Sequence, residues 1–369
     1  MVVGEQHVES QQTTMFSTVR SNELSESEDA VRAVTVDRLG DPAHDPGMLS
    51  LNQRPEPKAG AGEAVVRVVL ASINPSDFHL MTGELHGPFR TTQGQIAGAC
   101  GVGFVETPAE VGPPAGTLVA FTALGAWADY VAVPAASLIA LPPDFPLELG
   151  AQFPNLVTAW ELVEKCGVKP GGWLALTAGY STVAVAALQL AARRGIRVLC
   201  VVRNASSDVD LAALGAEAVI ATGDNKLGEA VLEATGGAGL NGIVDCVAGS
   251  VTGELIRQCA PFSRMQIYGS LDSGNINIAG HDILYRFLEI VPYTYPFSFA
   301  PLTTPENIEL VRRVEQAVLH PRLFVPVGGI HPITEYRDAV AGATMSGQRG
   351  KRFLSMVETS SLTLAETRD

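Results

Sequence analysis

The sequence predicts an α/β protein of two bodies, a β-rich body interrupted by a doubly wound parallel-sheet unit. Three observations carry this. The chain has 369 residues, which suits two domains of ordinary size. Residues 31–155 read as short β-rich segments punctuated by glycine and proline. Residues 156–298 then alternate apolar strand-like runs with helical patterns, as parallel strands joined by crossover helices do.

In the first body, "VRAVTVDRL" and "EAVVRVVLASI" read as strands around the loop "NQRPEPKAGAG", and "GVGFVETP", "TLVAFTALG" and "WADYVAVPAASLIALP" add more. The second body is led in by a helix from Ala151 to Cys166. "GGWLALTAG" is a buried strand, Thr182 to Arg194 a helix stopped by Gly195, and "IRVLCVV" the next strand. A helix around "DVDLAALG", the strand "AEAVI", the helix "LGEAVLEAT", the strand "GIVDCVAG", the helix "VTGELIRQCA" and the strand "RMQIYGS" complete it. The pattern then switches to a helix at "TPENIELVRRVEQAVLH", an extended "VPVGGIHPI", a helix at "TEYRDAVAGATM" and a last strand, "KRFLSMV". Residues 299–369 are expected to return to the first body.

Composition narrows the function. A net charge of −14 argues against duplex DNA, which needs a basic footprint. Charge or proline interrupts every long apolar stretch, so no membrane span is expected. The cysteines, Cys100, Cys166, Cys200, Cys246 and Cys259, are odd in number and scattered, which reads as reduced thiols in a cytoplasmic protein. Residues 1–30 carry six acidic side chains and one arginine, Arg20, unlike a secretory or mitochondrial leader, and read as a disordered tail.

The stretch "LTAGYSTVA" is the first candidate site. A strand ends at Ala178 and a helix begins within four residues, so the free N–H groups and positive end of that helix suit a pyrophosphate. Gly179 can supply an unusual dihedral or a close backbone approach, and Ser181 can cap the helix and offer a hydroxyl. The glycine-rich fingerprint of dinucleotide sites is thinned here, with Ser181 and Ala184 in place of glycines. An ordinary β–α junction fits the same residues. Arg203 adds weight to the nucleotide reading. It follows the second strand, where an acid would sense a ribose 2′-hydroxyl, and its guanidinium matches a 2′-phosphate instead. That favours NADPH over NADH; the alternative is a solvated surface arginine.

These segments, with "ASINPSDF", "GAWADYVAVPAASLIALPPDFPLELGAQFPNLVTAW", "VVRN", "IYGS" and "GKRFL", resemble the zinc-free medium-chain dehydrogenase/reductases over about Val31 to Val357. Quinone oxidoreductases and 2-enoyl thioester reductases belong to that superfamily. The resemblance implies a GroES-like catalytic domain interrupted by a Rossmann-type cofactor domain, with the active site in the cleft between them. It implies hydride transfer from NADPH to an activated C=C bond, often in a homodimer. The fungal-type enoyl reductases use a Gly-x-Ser-x-Val turn, which "GYSTV" resembles; by that likeness Gly179, Tyr180, Ser181, Thr182 and Val183 form the cofactor turn.

The resemblance also assigns roles elsewhere. Asn74 stands where zinc-using relatives have a metal cysteine; an amide is a poor zinc ligand, and no metal is expected. In zinc-free relatives the matching asparagine lies beside the cofactor. Asn155 and Thr158 correspond to residues near the nicotinamide and its ribose; a helix cap and a buried hydroxyl are the alternative readings. Tyr268 and Gly269 end a strand and are expected to line the cofactor site, and Tyr180 to pack beside the pyrophosphate, fill space left by missing glycines, or point outward.

One departure bears on mechanism. The tyrosine of the enoyl thioester reductases is replaced by Leu85, and the acid of the following glycine segment by Gln95. Hydride addition to C=C creates an enolate-like anion that needs a donor. His86 is the candidate, with His79, water and the cofactor ribose as alternatives. The aromatic run "YRFLEIVPYTYPFSF" reads as core packing, with a substrate wall or a dimer edge as the other possibilities. The expectation is an NADPH-dependent reductase of an enone or acyl-thioester substrate, the latter free or on a carrier protein. A quinone reductase, or a non-redox nucleotide-binding, lyase, isomerase or partner-binding protein, is the alternative.

Overall fold

The computed structural model describes residues 30–83, 91–205, 208–224, 226–272, 274–293, 295, 302–344 and 350–357. The expected N-terminal tail lies outside them. Two compact units emerge. One comprises Met1–Pro154, Phe299–Glu309 and Val327–Asp369; the other comprises Asn155–Ser298 and Leu310–Pro326.

The first unit is a β body. In chain order it contains β1 (Ala30–Val36), β2 (Leu49–Pro55), β3 (Glu63–Ser72), helix α1 (Pro75–Thr82), β4 (Cys100–Thr107), β5 (Leu118–Thr122), β6 (Tyr130–Pro134), β7 (Leu138–Ala140) and the short α2 (Leu147–Gly150). β1 and β2 pair antiparallel. β3 is the longest of these strands and almost wholly buried, because apolar residues fill both of its faces. It pairs with β4 and also with β6. The core gathers Val34, Val66, Val68, Phe121 and Trp127. Trp127 is fully buried, and its indole N–H is 3.3 Å from the Ser72 carbonyl.

Helix α3 (Phe153–Cys166) leads into the second unit. There follow β8 (Trp173–Leu176), α4 (Thr182–Ala192), β9 (Arg197–Val202), β10 (Ala216–Ala221), α5 (Leu227–Ala234), β11 (Leu240–Asp245), α6 (Gly249–Ile256), β12 (Cys259–Ile267), α7 (Gly280–Leu284) and β13 (Glu289–Pro292). The six strands form one sheet in the order β10-β9-β8-β11-β12-β13, and every pairing is parallel. The strand order reverses between β8 and β11, the place where such sheets bind ligands. α4 is apolar all round, with Thr182 to Ala191 buried, so it is an internal helix.

The expected helix around "DVDLAALG" does not form. Residues 208–215 turn instead, with Asp210 Oδ1 accepting from the Ala213 N–H and the chain reversing at Gly215 (φ 109°). A side chain that caps so early, followed by glycine, leaves no length for a helix.

The chain continues through α8 (Pro305–Leu319), β14 (Val327–Pro332), α9 (Tyr336–Thr344) and β15 (Lys351–Ser355). β15 pairs antiparallel with the end of β3, matching Phe353 with Ser72, so the C-terminal strand belongs to the β body. Leu310–Pro326 groups with the second unit. There the Gln189 side chain of α4 bonds both the carbonyl (2.7 Å) and the N–H (3.0 Å) of Phe324, and Arg193 reaches the Ala317 carbonyl.

The aromatic run is not core throughout. Tyr285 and Phe287 are 78% and 58% exposed, and Phe287 stacks on Phe262, itself exposed. The turns at Phe262 and Phe287 take positive φ, which turns both rings away from the sheet interior.

Replacing Trp127 with alanine empties the largest buried site of the β body. We expect a loss of about 3–5 kcal/mol, read as a lower urea midpoint by circular dichroism; an unchanged midpoint would contradict this packing.

Candidate active site

Of the two uses the sequence left open for Gly179, the turn between β8 and α4 takes the close approach. Ala178, not Gly179, takes the left-handed backbone, at φ 46°. Gly179 supplies the close approach: a Cβ there would lie 2.9 Å from Cys200 Cβ and 3.0 Å from Val202 Cγ1. Its N–H donates to the Val201 carbonyl at 2.9 Å, which ties the turn to β9. Ser181 is the N-cap of α4, its Oγ accepting from the Ala184 N–H at 3.2 Å. Thr182 and Val183 follow as the buried first residues of the helix. The first N–H groups of an eleven-residue internal helix therefore open at this turn.

Tyr180 reaches away from the helix start. Its hydroxyl donates to the Ala205 carbonyl at 2.9 Å and bridges the turn to the segment after β9. That segment begins with Arg203, which is exposed and makes no ion pair among the described residues. The turn and the arginine are thus held on one end of the sheet, both following adjacent strands β8 and β9.

A brace lies beneath this turn that sequence reasoning did not single out. Thr177 Oγ donates to Asp245 Oδ1 at 2.7 Å and accepts from the Cys246 N–H at 3.0 Å. The fully buried Asp245 carboxylate also accepts from the N–H groups of Val247 and Ala248 and from Thr252 Oγ. Four donors offset the cost of a buried charge and lock the ends of β8 and β11 together. The signal for it was an acid ending an apolar strand, in "GIVDCVAG".

Tyr268 and Gly269 follow β12 beside these groups. Gly269 lies against Cys246, where a Cβ would come within 3.1 Å of both Cys246 Cβ and its carbonyl oxygen. The Tyr268 ring is half-buried and its hydroxyl enclosed. Desolvation holds that hydroxyl well above the phenol range, Cys246 pushes the same way and Ser181 opposes, so Tyr268 stays neutral beside the cap of α4.

Asn155 and Thr158 lie half-buried on α3. Thr158 Oγ is 3.5 Å from the Tyr293 hydroxyl, which also reaches Glu161 at 3.1 Å. Burial raises the Tyr293 hydroxyl's pKa, and the Glu161 carboxylate adds to the effect.

In the β body, Asn74 is the N-cap of α1 and only 5% exposed. Its backbone N–H donates to Asp77 Oδ2 at 2.7 Å and its Nδ2 to Ser72 Oγ at 3.0 Å. Its Oδ1 accepts from Lys351 Nζ at 2.8 Å, and the same ammonium reaches the Ile73 carbonyl at 3.2 Å. Lys351 and Asp77 are both buried. Desolvation lowers the Lys351 pKa to about 8, against the pull of Asp77, and raises that of Asp77 to about 6. Cys100 faces the same pair, and burial pushes its thiol up to about 12. Sequence reasoning missed Lys351 and Asp77, although a lysine in the apolar strand "GKRFL" was the available clue.

Gln95, the residue in place of the expected acid, is spent on its own turn: its Oε1 accepts from the Thr92 N–H at 2.9 Å. His79 is exposed on α1. Leu85 and His86 lie outside the described residues.

Comparison with known proteins now bears on these units. Residues 60–143 match the family model of the alcohol dehydrogenase GroES-like domain, and residues 182–311 match that of zinc-binding dehydrogenases. The chain belongs to the medium-chain dehydrogenase/reductase superfamily. It has GroES-like and Rossmann-like domains, and its similarities within the superfamily include quinone oxidoreductases and enoyl reductases. It is 25% identical to the mitochondrial enoyl-acyl-carrier-protein reductase of Bos taurus, over 88% of this chain and 89% of that protein. The quinone oxidoreductase of Thermus thermophilus, solved alone and with NADPH, is 26% identical with a TM-score of 0.74, over 88% of this chain and 100% of that one. A cobalt- and zinc-bound alcohol dehydrogenase from Pyrobaculum aerophilum superposes with a TM-score of 0.74 at 19% identity, over 88% of this chain and 99% of that one, and so shares the fold.

The fold therefore serves metal-binding and other chains, and the residues present decide the fit. Asn74 does not fit a zinc site, because an ammonium 2.8 Å from its only side-chain oxygen occupies that acceptor and repels a cation. Among the described residues, no three His, Cys, Asp or Glu side chains gather for a metal. The turn after β8 does fit a dinucleotide: Gly179 lets the backbone run close to β9, and an open helix start follows.

The division of labour in the turn is testable. Gly179→Ala drives a methyl group into Cys200 and Val202 and should cost about 1–3 kcal/mol, whereas Ala178→Gly relieves a left-handed alanine and should change stability by less than about 1 kcal/mol. Thermal melts of both variants check this; equal losses would contradict the assignment.

Proposed function

We propose that the protein is an NADPH-dependent, zinc-independent reductase of activated C=C bonds, acting on an enone or an enoyl thioester. The observation that carries this is the β8–α4 turn, where a glycine without room for a side chain precedes an open helix start and an exposed arginine follows the adjacent strand. The helix N–H groups and Ser181, Thr182 and Val183 would hold the pyrophosphate, and Arg203 the 2′-phosphate. Tyr180, through Ala205, would fix the spacing of these two anion sites. Asn155, Thr158, Tyr268 and Gly269 would serve the remainder of the dinucleotide.

NADPH held at this turn would supply the hydride for the β-carbon of the alkene, and the developing enolate would need a proton donor. Asn74 is the amide we assign to hold the reacting group in place, since orientation accounts for much of such a rate. Lys351 and Ser72 hold that amide rigidly, which supports the assignment. His86 remains the candidate acid.

A quinone substrate is the second reading. Leu85 at the enoyl reductases' tyrosine position favours it, because a quinone needs less help from a donor, as does the likeness to the Thermus thermophilus enzyme. The carrier-protein form of the thioester is supported by the likeness to the Bos taurus enzyme. A homodimer fits β13, whose described pairing is to β12 alone and whose Ile290 and Val291 are each 36% exposed; sedimentation showing only monomer would exclude it. Cytoplasmic residence is the compartment that the cysteine usage favours.

Fluorescence titration with NADPH and NADH is the test, followed by NADPH oxidation with crotonyl-N-acetylcysteamine, cyclohexenone and menadione. Wild type should prefer NADPH, and Arg203→Glu should weaken NADPH about tenfold or more while leaving NADH nearly unchanged. Equal affinities in wild type would remove the selectivity claim, and no oxidation with any acceptor would remove the reductase reading.

A further inference from the structure

The cluster around Asn74 has more machinery than a helix cap needs. An N-cap requires one side-chain acceptor or a reciprocal carboxylate, and Asp77 already provides the latter at 2.7 Å. Yet β15 delivers a buried lysine to the same residue from 277 positions away in sequence. Burying an ammonium is costly, and among the described residues this one has no carboxylate within ion-pair distance. Its contacts are instead the Ile73 carbonyl and Asn74 Oδ1.

We propose that Lys351 is a positioning residue for the reaction, whose ammonium dictates which end of the Asn74 carboxamide faces which way and polarises it. The proposal rests on the reading of Asn74 as the catalytic amide. A charged lysine only donates, so it must face Oδ1; Nδ2 is then obliged to point toward Ser72 Oγ, 3.0 Å away. A cation on Oδ1 also draws electron density from Nδ2 and strengthens whatever hydrogen bond that nitrogen makes. An uncharged amine donates and accepts, so it enforces neither orientation nor polarity.

The titratable groups facing Lys351 are Asp77 from α1 and Cys100 from β4. Asp77 supports the charge and titrates near pH 6, below the range in question. Cys100 stays a neutral thiol to about pH 12. Arg352, the next residue on β15, turns to His331 and bonds its Nε2 at 2.9 Å. Lys351, with a pKa lowered to about 8, is therefore the group that changes charge between neutral and mildly alkaline pH. Its charged form is present below that value and lost above it, so the orienting effect should fade as pH rises through about 8.

The test compares wild type, Lys351→Met and Lys351→Arg. Three quantities are read from pH 6.5 to about 10: kcat with cyclohexenone and crotonyl-N-acetylcysteamine, the NADPH dissociation constant, and the side-chain amide resonance of Asn74 in protein with isotope-labelled asparagine, assigned through Asn74→Asp. In wild type the amide resonance should titrate near pH 8, and kcat should fall over the same interval. Lys351→Met should abolish that titration and lower kcat about tenfold, with NADPH affinity within about twofold of wild type. Lys351→Arg should keep the charge, retain most of kcat and lose the alkaline fall.

A methionine variant with wild-type kcat, or a wild-type amide resonance that ignores pH, would overturn the proposal. If the methionine variant fails to fold, an arginine variant with the wild-type alkaline fall would overturn it instead. If wild type binds NADPH but turns over no acceptor, the reductase reading fails, and the link between Lys351 and Asn74 is decided on the amide resonance alone.

Discussion

The closeness of Gly179 to β9 is the constraint on which the rest of the second unit depends. With no side chain, residue 179 lets the chain pass against Cys200 and Val202, and its N–H bonds the end of β9. Only then can β8 turn within a few residues and start an apolar helix whose N-terminus stays open. The Thr177–Asp245 brace fixes the neighbouring strand end, so the strands beside the switch in strand order terminate at a common level. A ligand that needs aligned N–H donors requires that kind of rigidity, because loose donors must reorganise on binding.

The β body solves a related problem by different means. Its candidate amide belongs to Asn74, the N-cap of α1. An ammonium from the chain's last described strand takes its Oδ1 and Ser72 Oγ its Nδ2, while a carboxylate from one turn along holds the backbone N–H of the same residue. Neither charge touches the other within ion-pair distance, and each is buried at some cost. Costs of that kind are commonly kept where orientation matters more than stability.

Much of this organisation was legible because hydrophobic period and glycine–proline punctuation are local signals. The switch from short β segments to alternating strands and helices near residue 156 reflects how each sheet buries its faces. The place of Arg203 just after β9 was readable because strand ends lie at fixed spacing after the turn. Other features depended on contacts distant in sequence. Lys351 meets Asn74 only because β15 pairs with β3, and nothing in "GKRFL" alone names its partner. The positive φ at Ala178 was hidden, because a glycine is the default residue for a left-handed turn, whereas here packing against β9 claims Gly179. The failed helix at "DVDLAALG" shows propensity yielding to a local aspartate turn. The exposed Tyr285 and Phe287 show that an aromatic run need not be core when the backbone reverses within it.

The central claim concerns where a dinucleotide lies, and a crystal structure of the NADPH complex addresses it most directly. The account predicts pyrophosphate density over the first turn of α4, beside Ser181 to Val183, with the adenosine phosphate on Arg203. Density for the cofactor anywhere else, or Tyr180 occupying that turn with NADPH present in excess, would contradict it.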